Sequence, residues 1–499
     1  MFNPRRRSQR ITFFAFLLVT SLLCGIASAA PSITLSKKSG PPTSKILVSG
    51  RGFEPNVGVD IFFDTKDKAL VVTNGKGEFH DAGIFAPRGA HPGEHWVTAL
   101  ERNNDKGAQE PFLVQTDWAQ FRFDAGHTGA NPYENILDRK SVAGLSLVWK
   151  YATGSWVGSS PSLSDGVIYI AAADGTVLAV TADTGHLLWR QEFLSNTTGL
   201  SVINDTVYVG SNGQYFYAIN ARTGTVRWEY PTGVDQGSPA IADGVAYVGS
   251  VATGDTLFAL NANTGVPLWS SQTNGGSYSS PAEANGILYI GSFNGNIYAV
   301  DSSNGKLLWK YATGNSVYSS PAVADGMVFV GSADNNIYAL NASTGTLLWR
   351  YATGSSVDSS PAVVDGVVYV GSGDNSLYAL KTSTGTLLWK YATGGVIFSS
   401  PVVANGVVYV ASTDYNIYAL SASTGSLLWR YPTDYWVPSS PAVANGMVYV
   451  GSDDQNLYAF GLTGEGMKTT TQKPDPRTLR PNFNLKLSKP VATPLGAEL

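Results

Sequence analysis

The chain has 499 residues, a formal net charge of −4 and only 14% charged residues. That balance excludes a polyanion-binding protein of the usual kind, which needs a basic surface. Glycine is abundant (54 residues) and aromatic residues reach 11%, a composition that suits an all-β protein rich in tight turns.

Residues 1–29 read as a secretory signal. Arg5, Arg6, Arg7 and Arg10 form a basic start, Ile11 to Ile26 is free of charge, and Ala27-Ser28-Ala29 fits cleavage after small residues. Cleavage there leaves no integral membrane span and a secreted, periplasmic or other envelope protein. Cys24 is the one cysteine, and Leu23 before it does not suit a lipoprotein signal. The chain beyond residue 29 therefore has no disulfide and no cysteine-ligated metal.

Residues 30–115 alternate apolar and polar in short runs, such as Ile46-Leu47-Val48 and Trp96 to Leu100, divided by turns such as Asn74-Gly75-Lys76-Gly77. This is the pattern of a small β-sandwich. The order "ITLSKKSGPPTSKILVSGRGFEPNVGVDIFFD" resembles bacterial immunoglobulin-like domains of the IPT/TIG kind. Residues 116–144 form a linker expected to pack on the domain C-terminal to it. Its stretch "DWAQFRFDAGHTGANP" resembles the segment that precedes propellers of the quinoprotein type.

Residues 145–462 repeat. Tryptophans fall at Trp149, Trp189, Trp228, Trp269, Trp309, Trp349, Trp389 and Trp429, at intervals of 39 to 41 residues. A period near 40 with several strands per unit predicts a β-propeller. In one unit, Pro361 to Val364 is an inner strand, Asp365-Gly366 a hairpin turn that needs positive φ, Val367 to Gly371 the second strand, Ser376 to Leu380 the third and Leu387 to Tyr391 the outer. Eight inner strands can be counted, but the last unit lacks an outer strand. Leu145 to Tyr151 stands unpaired before the first unit. The chain is thus expected to form an eight-bladed propeller of four-stranded blades, its eighth blade completed by the N-terminal strand. The remainder, 463–499, rich in proline and lysine, is expected to be a flexible tail.

The spacing Ala-x-Asp/Asn-x-x-Thr-Gly-x-x-x-Trp, as in Ala339, Asn341, Thr344, Gly345 and Trp349, resembles the tryptophan-docking motif of pyrroloquinoline quinone (PQQ) propellers. That superfamily includes quinoprotein alcohol dehydrogenases and the outer-membrane assembly lipoprotein BamB. The resemblance implies the fold and makes the eight tryptophans packing residues between blades. It does not imply a reaction, because one fold hosts unrelated sites. The enzymes of the family hold PQQ through a calcium ion bound by a Glu and an Asn, with an Asp as base and, in many members, a vicinal disulfide that this chain cannot make.

Most acids of the repeat sit at two recurring turn positions, Asp365 and Asp374 being examples. Three break the pattern. Glu283 takes an inner-strand place held elsewhere by Leu, Ile or Val; Asp235 and Asp358 precede inner strands. The five histidines show no metal-ligand spacing, and no nucleophile–base pair or phosphate loop stands out. The positions that vary between units are the ones free for recognition. Those entering the inner strands include Trp156, Gln236, Tyr278, Tyr318, Asp358, Phe398 and Trp436. They are expected, with Glu283, to ring one end of the central channel as an aromatic, weakly charged mouth. Such a mouth suits a protein or polysaccharide ligand. The expectation is a non-enzymatic, exported binding or scaffold protein without cofactor and without nucleic-acid binding. The alternatives are a PQQ- and calcium-dependent dehydrogenase with a degenerate site, or a BamB-like envelope assembly factor.

Overall fold

A computed structural model describes residues 30–193, 197–212, 215–233, 237–250, 256–272, 275–463, 471–482 and 485. The predicted signal segment lies outside them. The described residues are almost wholly strands and turns, and none of their helices is long and apolar enough to cross a membrane.

The N-terminal unit has two sheets. One holds Ser32–Leu35, Lys45–Arg51 and Phe79–Phe85. The other orders Ser39–Gly40, Gly107–Val114, Gly93–Glu101, Gly58–Phe63 and Lys66–Val72. Along Lys45–Arg51 alternate residues are buried, the mark of a strand with one face on a core. Ile46, Val48 and Ile84 from the first sheet pack with Ile61, Phe63, Val97 and Phe112 from the second.

The second sheet is apolar on its outer face too. Phe62 and Leu100 point away from that core and are covered by Leu479. Residues 471–482 lie along this face. Thr471 N donates to Glu94 O at 3.0 Å, Gln109 Nε2 to Pro474 O at 2.8 Å and Asn482 N to Asp67 Oδ2 at 2.6 Å. Lys473 sits 4.7 Å above the Trp96 ring. This part of the chain was expected to be a flexible tail; it is instead held to the N-terminal unit, because Phe62 and Leu100 leave an apolar strip to cover.

The rest forms a ring of eight four-stranded antiparallel blades. Blade five is typical: Ala322–Ala324 inside, then Met327–Gly331, Asn336–Asn341 and Leu347–Ala352. Blade eight orders Ala442–Ala444, Met447–Ser452, Asn456–Leu462 and finally Leu145–Ala152. The N-terminal strand therefore closes the ring, in antiparallel register from Leu145 opposite Leu462 to Ala152 opposite Asn456.

The tryptophan motif follows from this register. A bulge in each third-to-outer pairing sets every tryptophan opposite an alanine, as Trp349 faces Ala339 and, across the seam, Trp149 faces Ala459. The small partner leaves room for the ring to lean onto the next blade. There Trp309 Nε1 donates to Ala342 O at 2.9 Å, and the ring packs on Gly345, where a Cβ would fall 2.6 Å from it. Gly345 also has φ +70°, so glycine answers two demands at once. The tryptophans of the other blades repeat the bond, and Trp429 completes the circuit onto Leu145 O at 3.0 Å. A second belt lies nearer the axis. Ser320 N donates to Ser360 Oγ, Ser360 N to Ser400 Oγ, Ser400 N to Ser440 Oγ and, over the seam, Ser440 N to Ser160 Oγ.

Candidate functional site at the open mouth of the propeller

Each inner strand is the edge of its sheet and leaves backbone groups unpaired towards the channel. The linker pairs them, one blade after another. Trp118 exchanges two bonds of 2.9 Å with Leu163. Val202 N donates to Ala119 O and Ile241 N to Gln120 Oε1. Glu283, Val323, Val363 and Val403 donate to the carbonyls of Ala125, Gly126, Thr128 and Gly129, all at 2.8 to 2.9 Å. Asn131 Nδ2 reaches Val443 O at 2.8 Å on blade eight. The segment 118–131 thus visits all eight blades in ring order, and Ala130–Asn131 adds a short parallel strand to blade seven.

The side chains of this segment fill the axis. Trp118, Arg122 and His127 are buried. Arg122 donates to the carbonyls of His127 (3.2 Å), Ser360 (2.9 Å) and Pro361. Among the described residues no carboxylate forms an ion pair with it, and burial pulls its guanidinium down to about 9. Burial and the Arg122 charge likewise push the His127 imidazole down to about 3, so it is neutral at physiological pH.

The linker lies on the side of the inner hairpin turns. Gln115 Nε2 bonds Asp165, Thr116 bonds Asn445, and Gly446 N bonds Glu134, each partner being on a turn. The N-terminal unit stands on this side as well, through Asn135 Nδ2 to Ala90 O at 2.8 Å. The opposite end is formed by the loops that enter the inner strands and those that join second to third strands. In the entering loops of blades one and five to eight a middle residue is buried, Val157, Val317, Val357, Ile397 and Val437, and Val317 N bonds back to Ser292 O on a neighbouring loop. Large rings beside these positions turn outward. Trp156 is 59% exposed, Phe398 46%, Trp436 45%, Tyr278 42% and Tyr318 38%.

These rings gather in two groups. Tyr278 and Tyr318, from adjacent blades, stack at 6.2 Å with Phe293 edge-on to Tyr278 at 4.4 Å. Trp436 stacks with Tyr435 at 5.6 Å, and Tyr435 with Tyr415 at 5.7 Å. Trp156, on the blade next to that of Trp436, makes no ring contact with it among the described residues. Phe293, Tyr415 and Tyr435 were not among the residues singled out from the sequence. They occupy loop columns held on other blades by Ala333, Asn375 or Ser355, and comparing those columns across the units would have found them.

The acids part company. Asp358 lies at the mouth, where its Oδ2 accepts from Ser356 Oγ at 3.0 Å and burial raises its carboxyl. Glu283 does not belong to the mouth. Its backbone bonds the linker and its Oε1 accepts from Gly286 N on the hairpin turn. Burial, with Asp243 adding like charge, raises its carboxyl too. Gln236 and Asp235 lie outside the described residues. The recurring acids close turns and hold loops: Asp334 accepts from Tyr338 Oη at 2.6 Å and from Gly314 N at 2.6 Å. Among the described residues no three His, Cys, Asp or Glu side chains converge as metal donors. Asp358 is the one carboxylate among the mouth residues named above, with no partner acid and amide of the kind that holds a cation under a quinone.

Comparison with known proteins agrees on the architecture. Residues 143–203 and 175–281 match the family model described as outer membrane protein assembly factor BamB, and residues 283–475 match the β-propeller of the beta-alanine-activating enzyme. The BamB of Yersinia pestis is 28% identical over 173 residues, which is 30% of this chain and 44% of that protein; the match thus spans less than half of that relative. Among solved structures, quinohemoprotein alcohol dehydrogenase ADHIIG of Pseudomonas putida HK5 superposes with TM-score 0.61 at 17% identity, covering 73% of this chain and 82% of that one. BamB of Moraxella catarrhalis gives TM-score 0.55 at 19% identity, over 64% and 99%. These likenesses support a PQQ-like, BamB-like β-propeller.

Proposed function

We propose that the protein is a non-enzymatic component of the cell envelope that binds another protein through the aromatic mouth of its propeller. One observation carries this reading. The linker and the N-terminal unit occupy one end of the channel, while the other presents two stacked groups of exposed rings. Exposed aromatics of this kind are unusual on a face with nothing to bind, and they supply contact area at low entropic cost. The likeness to outer membrane assembly factors favours a protein partner over a polysaccharide.

The test is in vivo photo-crosslinking from position 398 at the mouth, with Trp436→Ala and Tyr278→Ala as variants. Capture of a discrete partner, lost in the double variant while its melting temperature is unchanged, is expected. Equal capture from a control site on an outer strand overturns the reading. A quinone enzyme is the competing reading, because a quinohemoprotein dehydrogenase shares the fold. Among the described residues no three acids, histidines or cysteines gather there to hold a cation under a quinone. Stoichiometric quinone absorbance with dye-linked alcohol oxidation, after reconstitution with PQQ and calcium, would establish it instead.

A further inference from the structure

We infer that Asp358 is the acceptor for a cationic side chain, Lys or Arg, which a protein partner inserts into the channel mouth. The inference rests on the mouth being a protein-binding face and names what that face selects.

The repeat makes Asp358 conspicuous. The residue entering the inner strand is Gly158, Thr198, Tyr278, Tyr318, Phe398 or Pro438 on the other described blades. None of these ionises near neutral pH. The position also makes no turn for an Asp to stabilise, in contrast to Asp334 or Asp414, whose side-chain oxygens accept from turn N–H groups.

The carboxylate is half satisfied. Ser356 Oγ serves Oδ2, but Oδ1 is buried and has no hydrogen-bond partner. Among the described residues no Lys, Arg or His lies within ion-pair reach of it. A buried acceptor left unmade is costly, and no described residue repays that cost. The residue as a whole is only partly buried, so a ligand that brings a donor can approach the carboxylate and repay it.

The flanks say which donor. Tyr318 and Phe398 hold the same position on the blades either side of Asp358, and both are exposed. Ring faces are electronegative and attract a cation brought to the mouth between them. A guanidinium or ammonium answers both groups together, its charge to Asp358 and its aliphatic stem along the rings. A sugar hydroxyl would satisfy the oxygen and leave the charge uncompensated.

The full chain is titrated with three probes: acetyl-Gly-Arg-Gly-amide, the same peptide with citrulline for arginine, and cellohexaose. Binding is read by ligand-detected NMR and tryptophan fluorescence. The arginine peptide should bind roughly tenfold or more tightly than the citrulline peptide. Asp358→Asn should abolish that difference without lowering the melting temperature. Equal binding of the two peptides, or an unaltered preference in Asp358→Asn, overturns the inference, as does binding of cellohexaose alone. Partner crosslinking separates the two levels. If capture is lost in Trp436→Ala but unchanged in Asp358→Asn, the cationic anchor fails and the mouth reading stands; if it survives in both, both fail.

Discussion

Tyrosines under the docking tryptophans show how far a single side chain is set by its place in the ring. Tyr369 Oη donates to Ala422 O at 3.1 Å, on the turn of the next blade, and Tyr289 does the same to Ala342 O. Tyr409 stands in the same column, but its hydroxyl is buried without a partner. The cause is the seam. Blade eight takes its outer strand from the N-terminus, so the turn that would present the carbonyl does not exist there. Phe329 already lacks the hydroxyl on blade five. Tyr409→Phe should therefore leave stability unchanged or raise it by about 1 kcal/mol, whereas Tyr369→Phe should lower it by a similar amount. Urea unfolding of both variants checks the pair. A titratable example is Asp67, whose carboxyl burial pushes up to about 6, with one oxygen unpartnered. Its folded value lies above the ordinary 3.8, so ionisation opposes folding. The penalty is absent below that ordinary value, grows as pH rises and is complete above about 6. Asp67→Asn should match the parent at pH 3.5 and melt higher at pH 7; a constant difference at both would show another cause. None of this was legible from residue type, since Asp67 and Tyr409 look like ordinary surface and core positions in the sequence.

Among elements, the linker departs most from what its sequence announces. Its position and its packing on the propeller were readable. Its route was not. Residues 118–131 bind the blades mainly through their own backbone carbonyls, and such bonds leave no period and no preferred side chain to recognise. Arg122 is the exception that could have been noticed, a lone cation between aromatic residues. It now accounts for the carbonyls of His127, Ser360 and Pro361. Arg122→Ala leaves these acceptors buried and unpaired, and should cost about 3 kcal/mol or more. Thermal melts together with faster hydrogen exchange at Val363 and Val403 would show that the linker has loosened. Exchange unchanged at those amides would mean that the backbone bonds hold without the side chain. The segment 471–482 makes the opposite case. The apolar outward residues Phe62 and Leu100 were visible in the strand pattern, but which part of the chain covers them was not, because nothing in 471–482 is periodic.

The ring as a whole was the most legible feature, since eight near-identical units must each bury both faces and can do so only by closing. The mouth was less so. Exposed aromatics at the inner-strand entries were foreseen, while Phe293 and Tyr415, one ring of each group, came from the loops joining second to third strands, and Tyr435 from a further column of the entering loop. Removing residues 145–151 should open blade eight, strip Trp429 of its acceptor on Leu145 and lower the melting temperature sharply; a truncated chain that melts with the parent would refute closure by this strand. The seam also sets a timetable. Ser146 lies 315 residues before Gly461, its partner across the blade. Every other blade is local and can form as soon as its own stretch of chain is complete. The entropic charge for the long closure grows only logarithmically with span, but the search for it comes after the other blades have formed. The ring's first strand must wait for its last, so the joint that completes the circle fastens after the other blades and is the natural place for the ring to part under stress.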